Sequence, residues 1–245
     1  MTSRIIICIP INLKNRKDIA AALENNYGTE YVFMGRVFQS TINNESCELD
    51  ICRRNLTRDL NTSEACELAG QDQLDASMLQ QIDNYQQFIY LTSHDSGYDA
   101  CFQMARLAQV ILQIGGIAIE VESAGIAHDK AKWLANYNLA DVFEIYSLFV
   151  ALIEGDDSYY SCGMHNFGRA DVAVDLAEDV GLAIYVMNVF NYYRLTESPI
   201  LQDGHTFQPD IECPRYLIKW TEDREHQITS PQYNPHGRWH LSVIS

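Results

Sequence analysis

Positive charge is what this chain has least of: 17 lysines and arginines stand against 33 aspartates and glutamates, a formal net charge of −16 over 245 residues. Such a surface repels phosphate backbones and anionic lipid, and basic patches interleaved with aromatics are missing, so nucleic acid is not an expected partner. No stretch approaches the roughly 18 continuous apolar residues of a membrane-crossing helix, so no membrane partner is expected either. A disulfide framework is also lacking. The seven cysteines are odd in number and scattered, some inside apolar runs, and they predict reduced, mostly buried thiols. The run Ile5-Ile6-Ile7-Cys8-Ile9 is ended by Pro10 and followed by Lys14, Arg16 and Lys17. It is too short for a secretory leader, and the cytoplasm is the expected compartment.

What is present is an ordinary globular composition, with 47% apolar and 20% charged residues. No run of like charge is long enough to form a disordered tail, so the acids must decorate a folded surface. Hydrophobic periodicity predicts strands over 5–11, 31–38, 47–52, 88–92 and 117–121, and helices over 16–26 and 98–114. A further helix begins near Asp129 and carries Trp133. The aromatic and β-branched content of 143–153 predicts a strand, paired across the turn Gly155-Asp156-Asp157 with 159–164. The span 175–196 reads as the longest helix, and 216–220 and 239–244 as strands. Residues 53–75 form a polar connection. These elements alternate without strict βαβ regularity, which predicts an α+β fold: a mixed, largely antiparallel sheet packed against several helices. Two lobes, 1–112 and 113–245, or a single domain, fit that pattern.

Three places hold residues capable of chemistry. Glu120 and Glu122 lie on one side of a strand by period two, with His128 beyond a glycine turn, a pattern for acid–base work or for holding a metal. Cys162 and His165 sit in a glycine-flanked segment where a thiol can be activated by imidazole, although strand spacing turns the two side chains to opposite faces. Asp203-Gly204-His205 reads as a turn. His128, His165 and His205 lack the spacing of a specific zinc site, and Cys47 and Cys52 lack a second pair, so neither a metal nor another cofactor is expected. Gly115-Gly116 lies between helix and strand, the reverse of the order that a phosphate loop requires.

The segments IGGIAIEVESAGIAHDKAKW (114–133), SCGMHNFGRADV (161–172), and LQDGHTF with YNPHGRWHL (233–241) together resemble the bacterial family labelled domain of unknown function 4261. The likeness covers the last half of the chain and is much weaker over the first hundred residues. That resemblance implies a bacterial protein and a neighbourhood of contact-dependent and type VI secretion toxin systems; it brings no established activity.

Joined to the charge, it leads to the expectation of an immunity protein that occludes a toxin domain with a basic surface. The expected partner-binding acids are those without a nearby base in sequence: Asp95, Asp99, Asp141, Glu144, Glu154, Asp156 and Asp157. No catalytic residue is required. The alternative is a small cytosolic hydrolase or transferase with Glu122, His128, Cys162 and His165 around one cleft; a secretion-system accessory is a third reading.

Overall fold

The computed structural model describes residues 4–53, 66–67, 69–70, 74–139 and 141–244. Most of the predicted polar connection 53–75 lies outside them. The described residues form an α+β fold of two mostly antiparallel sheets and their helices.

β1 (Ile5–Ile11) is apolar at nearly every position because it is covered on both faces. Ile5, Ile7, Ile9 and Ile11 point into the larger core and Cys8 into a smaller one behind the sheet. Each isoleucine is fully buried, a contribution of about 1.5–3 kcal/mol apiece before chain entropy. Such a strand belongs in the middle of a sheet. It pairs antiparallel with β5 (Gln87–Ser93) and β6 (Ala118–Val121). The sheet extends through β4 (Ser46–Arg53), β3 (Val37–Ser40) and β2 (Tyr31–Met34) on one side and β7 (Ile126–Asp129) on the other. Gly35, at φ 62°, splits the predicted strand 31–38 into the hairpin β2–β3.

α1 (Arg16–Tyr27) starts where the Asn15 side chain accepts from the backbone N–H groups of Lys17 and Asp18. α3 (Tyr98–Gln113) lies on the inner face with Cys101, Met104, Ala105, Ala108, Ile111 and Leu112 buried. Against it pack α4 (Lys130–Leu139), whose Trp133 indole donates to the Ala105 carbonyl at 3.1 Å, and α5 (Val142–Phe149). The outer face is covered by α2 (Ala76–Asp83), with Ile82 and Tyr85 beside Cys8, Phe88, Ala118 and Ala127.

The second sheet runs β11 (Thr206–Phe207), β12 (Tyr216–Thr221), β13 (Arg238–Val243), β10 (Asp171–Asp175), β9 (Ser158–Cys162), β8 (Ala151–Glu154). Its ladders are antiparallel except β10 with β13, which is parallel. α6 (Val180–Thr196) covers one face, with Val186, Met187 and Phe190 on Val172, Tyr216, Ile218 and Leu241. It begins five residues later than the predicted 175, because β10 runs through Asp175 and Asp179 caps the helix by accepting from Leu182 N–H at 3.1 Å.

Two expectations are corrected. The strand predicted over 143–153 is α5 followed by β8. Asp141 caps that helix by accepting from Phe143 N–H, and Ile145, Leu148 and Phe149 bury at helical spacing, so capping and period outweigh β-rich composition. The boundary between 112 and 113 cuts the first sheet, because β6 and β7 pair within it. The two sheets also share packing. Asn166, in a 3-10 turn over Met164–Phe167, donates to the Phe149 carbonyl at 3.1 Å and accepts at its own carbonyl from Gly97 N–H at 2.9 Å. Gly163 makes this approach possible: at φ +119°, an added Cβ would lie 2.2 Å from the Phe149 carbonyl oxygen. Among the described residues no helix is long and apolar enough to cross a membrane.

Candidate functional site: an acidic and aromatic face

The helix starts of α3 and α5 place aromatics and acids on one surface. Tyr98 and Phe102, one turn apart on α3, stack with ring centroids 6.2 Å apart, and Phe102 stacks on Tyr137 of α4 at 5.5 Å. Arg106 lies over Phe102, donates to the Tyr137 hydroxyl at 3.1 Å and pairs with Glu45 at 2.9 Å, so its charge is already engaged. Phe143 of α5 meets Tyr192 of α6 edge-on at 6.4 Å; both rings are exposed over about two fifths of their surface. Burial raises the Tyr98 phenol, and the neighbouring Asp141 and Asp99 carboxylates raise it further. Asp99 follows Tyr98 in the first turn of α3, Asp141 caps α5, and Asp95 lies three residues before Tyr98 on the loop from β5.

Asp95, Asp99 and Asp141 are exposed. Glu154, Asp156 and Asp157 form a second exposed group on the β8–β9 turn. Among the described residues none of these six carboxylates pairs with a cation. Glu144 is half-buried in the first turn of α5, and after Asp129 it favours the charge of the Lys132 ammonium against the effect of burial.

Of the residues of the enzymatic alternative, Glu122 and His128 lie on opposite faces of the first sheet, and Cys162 and His165 belong to the second sheet and the turn after β9. Glu122 is on the outer face of the first sheet. His128 pairs across β6–β7 with Ile119 on the inner face, where its Nε2 lies 3.1 Å from the Leu148 carbonyl and its ring against Trp133. Burial pushes it down to about 3, which keeps it neutral. Cys162 is buried at the end of β9; its Sγ lies 3.9 Å from the Gln232 carbonyl, and burial holds the thiol well above its ordinary range. His165 is buried in the 3-10 turn and pushed down to about 4. A neutral thiol and neutral imidazoles facing a core make no activated nucleophile. His205 is exposed while His128 and His165 are interior, so the three histidines do not converge on a cation.

Two of the motif segments meet in a buried polar network. Asp171 accepts from Ser161 Oγ and Met164 N–H, both at 3.1 Å, and from Asn234 Nδ2 at 2.5 Å. Asn234 N–H donates to Asp223, which also receives Arg238 and His226. Burial raises Asp171 to about 6 against these donors. The network ties segment 161–172 to segment 233–241, which gives both motifs a structural duty.

A different cluster occupies the outer face of the first sheet. The register sets Tyr90, Cys8 and Glu120 in one row across β5, β1 and β6, and Glu122 reaches the same spot from the turn after β6. Cys66 Sγ stands 3.9 Å from Glu120 Oε2. Burial, then Glu122, pushes Glu120 up to about 7, and burial pushes the Cys66 thiol up to about 12. Cys8, Cys66 and Tyr90 were missed in the sequence reading. Period-two alignment of 5–11 with 117–121 would have exposed Cys8 opposite Glu120, but strand order is a tertiary fact.

Comparison with known protein families, with curated proteins and with solved structures finds no match for this chain.

Proposed function

We propose that this chain is an immunity protein that binds a cognate bacterial toxin domain with a basic surface and neutralises it by occlusion. One observation carries the reading: the exposed rings of Phe143 and Tyr192 on α5 and α6, with the half-buried stack of Tyr98 and Phe102 on α3, accompany Asp95, Asp99 and Asp141, carboxylates with no cationic partner among the described residues. Tyrosine and phenylalanine supply large rigid contact area, and unpaired acids beside them offer charge to a cationic partner without first breaking internal pairs. Attraction by a net charge of −16 speeds encounter, roughly tenfold to a thousandfold at low salt. The resemblance of the three motif segments to domain of unknown function 4261 supplies the toxin setting, and the chain is proposed as a cytoplasmic relative of that family.

The test is a growth assay in which the chain is co-expressed with the toxin encoded beside its gene. The native chain restores growth, and the double variant Asp99→Asn, Asp141→Asn protects poorly while keeping the helix cap that Asn also provides. Absence of protection by the native chain overturns the immunity reading, and full protection by the double variant overturns the assignment to this face.

A further inference from the structure

The outer face of the first sheet gathers four acidic donors and no base. Cys8 Sγ and one carboxylate oxygen each from Glu120 and Glu122 all lie within 4.8 Å of one another. Cys66 Sγ stands beside them, 3.9 Å from Glu120 Oε2. Both cysteines are only 2% exposed in a cluster with Leu74, Ile82, Tyr85 and Phe88, and the two carboxylates are half-buried. Among the described residues no lysine, arginine or histidine pairs with any of the four. Two half-buried carboxylates held together repel each other and lose hydration, a cost that something positive or a proton between them relieves.

We propose that Cys8, Cys66, Glu120 and Glu122 form a binding site for a divalent zinc-type cation. Donor softness selects the ion: two sulfurs beside two carboxylates suit borderline-soft Zn²⁺, whereas Mg²⁺ and Ca²⁺ require oxygen alone. Four donors fill a tetrahedral shell, with zinc at about 2.3 Å from sulfur and about 2.1 Å from oxygen, and side-chain rotation closes the remaining gap. On binding, the two thiol protons and the proton that Glu120 holds below about pH 7 leave to solvent, and no electron moves. Tyr90, opposite Cys8 in the row, is placed to position the ligands through its hydroxyl. A closed shell of four protein ligands is the structural kind of site, and it would join β1 and β6 to the segment carrying Cys66. The site lies apart from the acidic and aromatic face and stands independently of the toxin-binding reading.

Titration of the whole reduced, metal-free chain with Co²⁺, followed by displacement with Zn²⁺, tests it. A thiolate-to-cobalt charge-transfer band saturating at one ion per chain is expected, with a Zn²⁺-dependent rise in melting temperature. Cys8→Ser and Glu120→Gln lose the band and the rise, while Cys52→Ser, at an exposed thiol, keeps both. Glu120→Gln matches the native shape and removes a buried charge, so it decides the matter if Cys8→Ser does not fold. Absence of a stoichiometric band, or a band unchanged in Glu120→Gln, overturns the proposal. So does a Cys8–Cys66 disulfide found by mass spectrometry in protein isolated without reductant.

Discussion

Asp171 and Asn234, 63 positions apart in the chain, meet inside the second sheet, where the amide Nδ2 donates to carboxylate Oδ2. The same amide reaches the Arg169 carbonyl at 3.0 Å, and the Asn234 backbone N–H is held by Asp223 at 2.9 Å. One side chain thus fixes the loop before β13 against the start of β10. Asn234→Ala leaves a buried carboxylate short of a donor, and a loss of about 2–4 kcal/mol is expected in urea unfolding. A loss within experimental error would show that water replaces the amide freely.

Gly163 and Gly204 both have positive φ but differ in surroundings. A Cβ at Gly163 meets the Phe149 carbonyl at 2.2 Å and Ala124 at 2.8 Å, whereas nothing lies within 4 Å of one at Gly204. Gly163→Ala should therefore prevent native folding, and Gly204→Ala should cost only backbone strain of about 1 kcal/mol. Circular dichroism and soluble yield of the two variants check the contrast.

His165 lies in the interior with its pKa pushed down to about 4 by burial, against 6.5 in the unfolded chain. Because the folded value is the lower one, the group's contribution to stability is complete above pH 6.5. It is lost as pH falls toward about 4, when the unfolded state takes the proton and the folded state does not. The stability gap between the native chain and His165→Leu should shift by on the order of 2–3 kcal/mol across that window, in the direction that penalises the native chain at low pH. A gap independent of pH would mean that the ring stays accessible to protons.

Cys162 and Tyr98 separate the two functional readings. Cys162→Ala should cost about 1 kcal/mol of stability and leave toxin neutralisation intact. Tyr98→Ala should weaken toxin binding by about 2 kcal/mol and also lower the melting temperature, because the ring packs on Phe102 and the core. Surface plasmon resonance at rising salt should show association slowing for the native chain and a flatter salt dependence for Asp99→Asn, Asp141→Asn. Equal salt dependence in both chains would place the contact elsewhere.

Much of the fold was legible from periodicity. The isoleucine run of β1, the nearly all-round apolar α3, and the hairpin turn at Gly155 each announce their place by pattern alone. What misled was composition at 143–153, where Phe143, Ile145, Tyr146 and Phe149 read as strand although Asp141 stands as a cap signal. The site was less legible. Asp99 and Asp141 were identified as bare acids, but their shared neighbour Tyr98 depends on how α3 lies beside α5. Likewise Glu122 and His128, six residues apart, face opposite sides because a turn and a change of strand intervene. Proximity in sequence says little about which side of a sheet a residue serves.

The place of β13 has a consequence for synthesis. It lies between β12 and β10, so the last strand of the second sheet to leave the ribosome is also an inner one. Until residues 238–243 emerge, a nascent chain presents two bare strand edges, each a template for mispairing with a neighbour. Shielding by chaperones is needed most in that interval, and truncation upstream of Arg238 should yield aggregate instead of a smaller folded molecule.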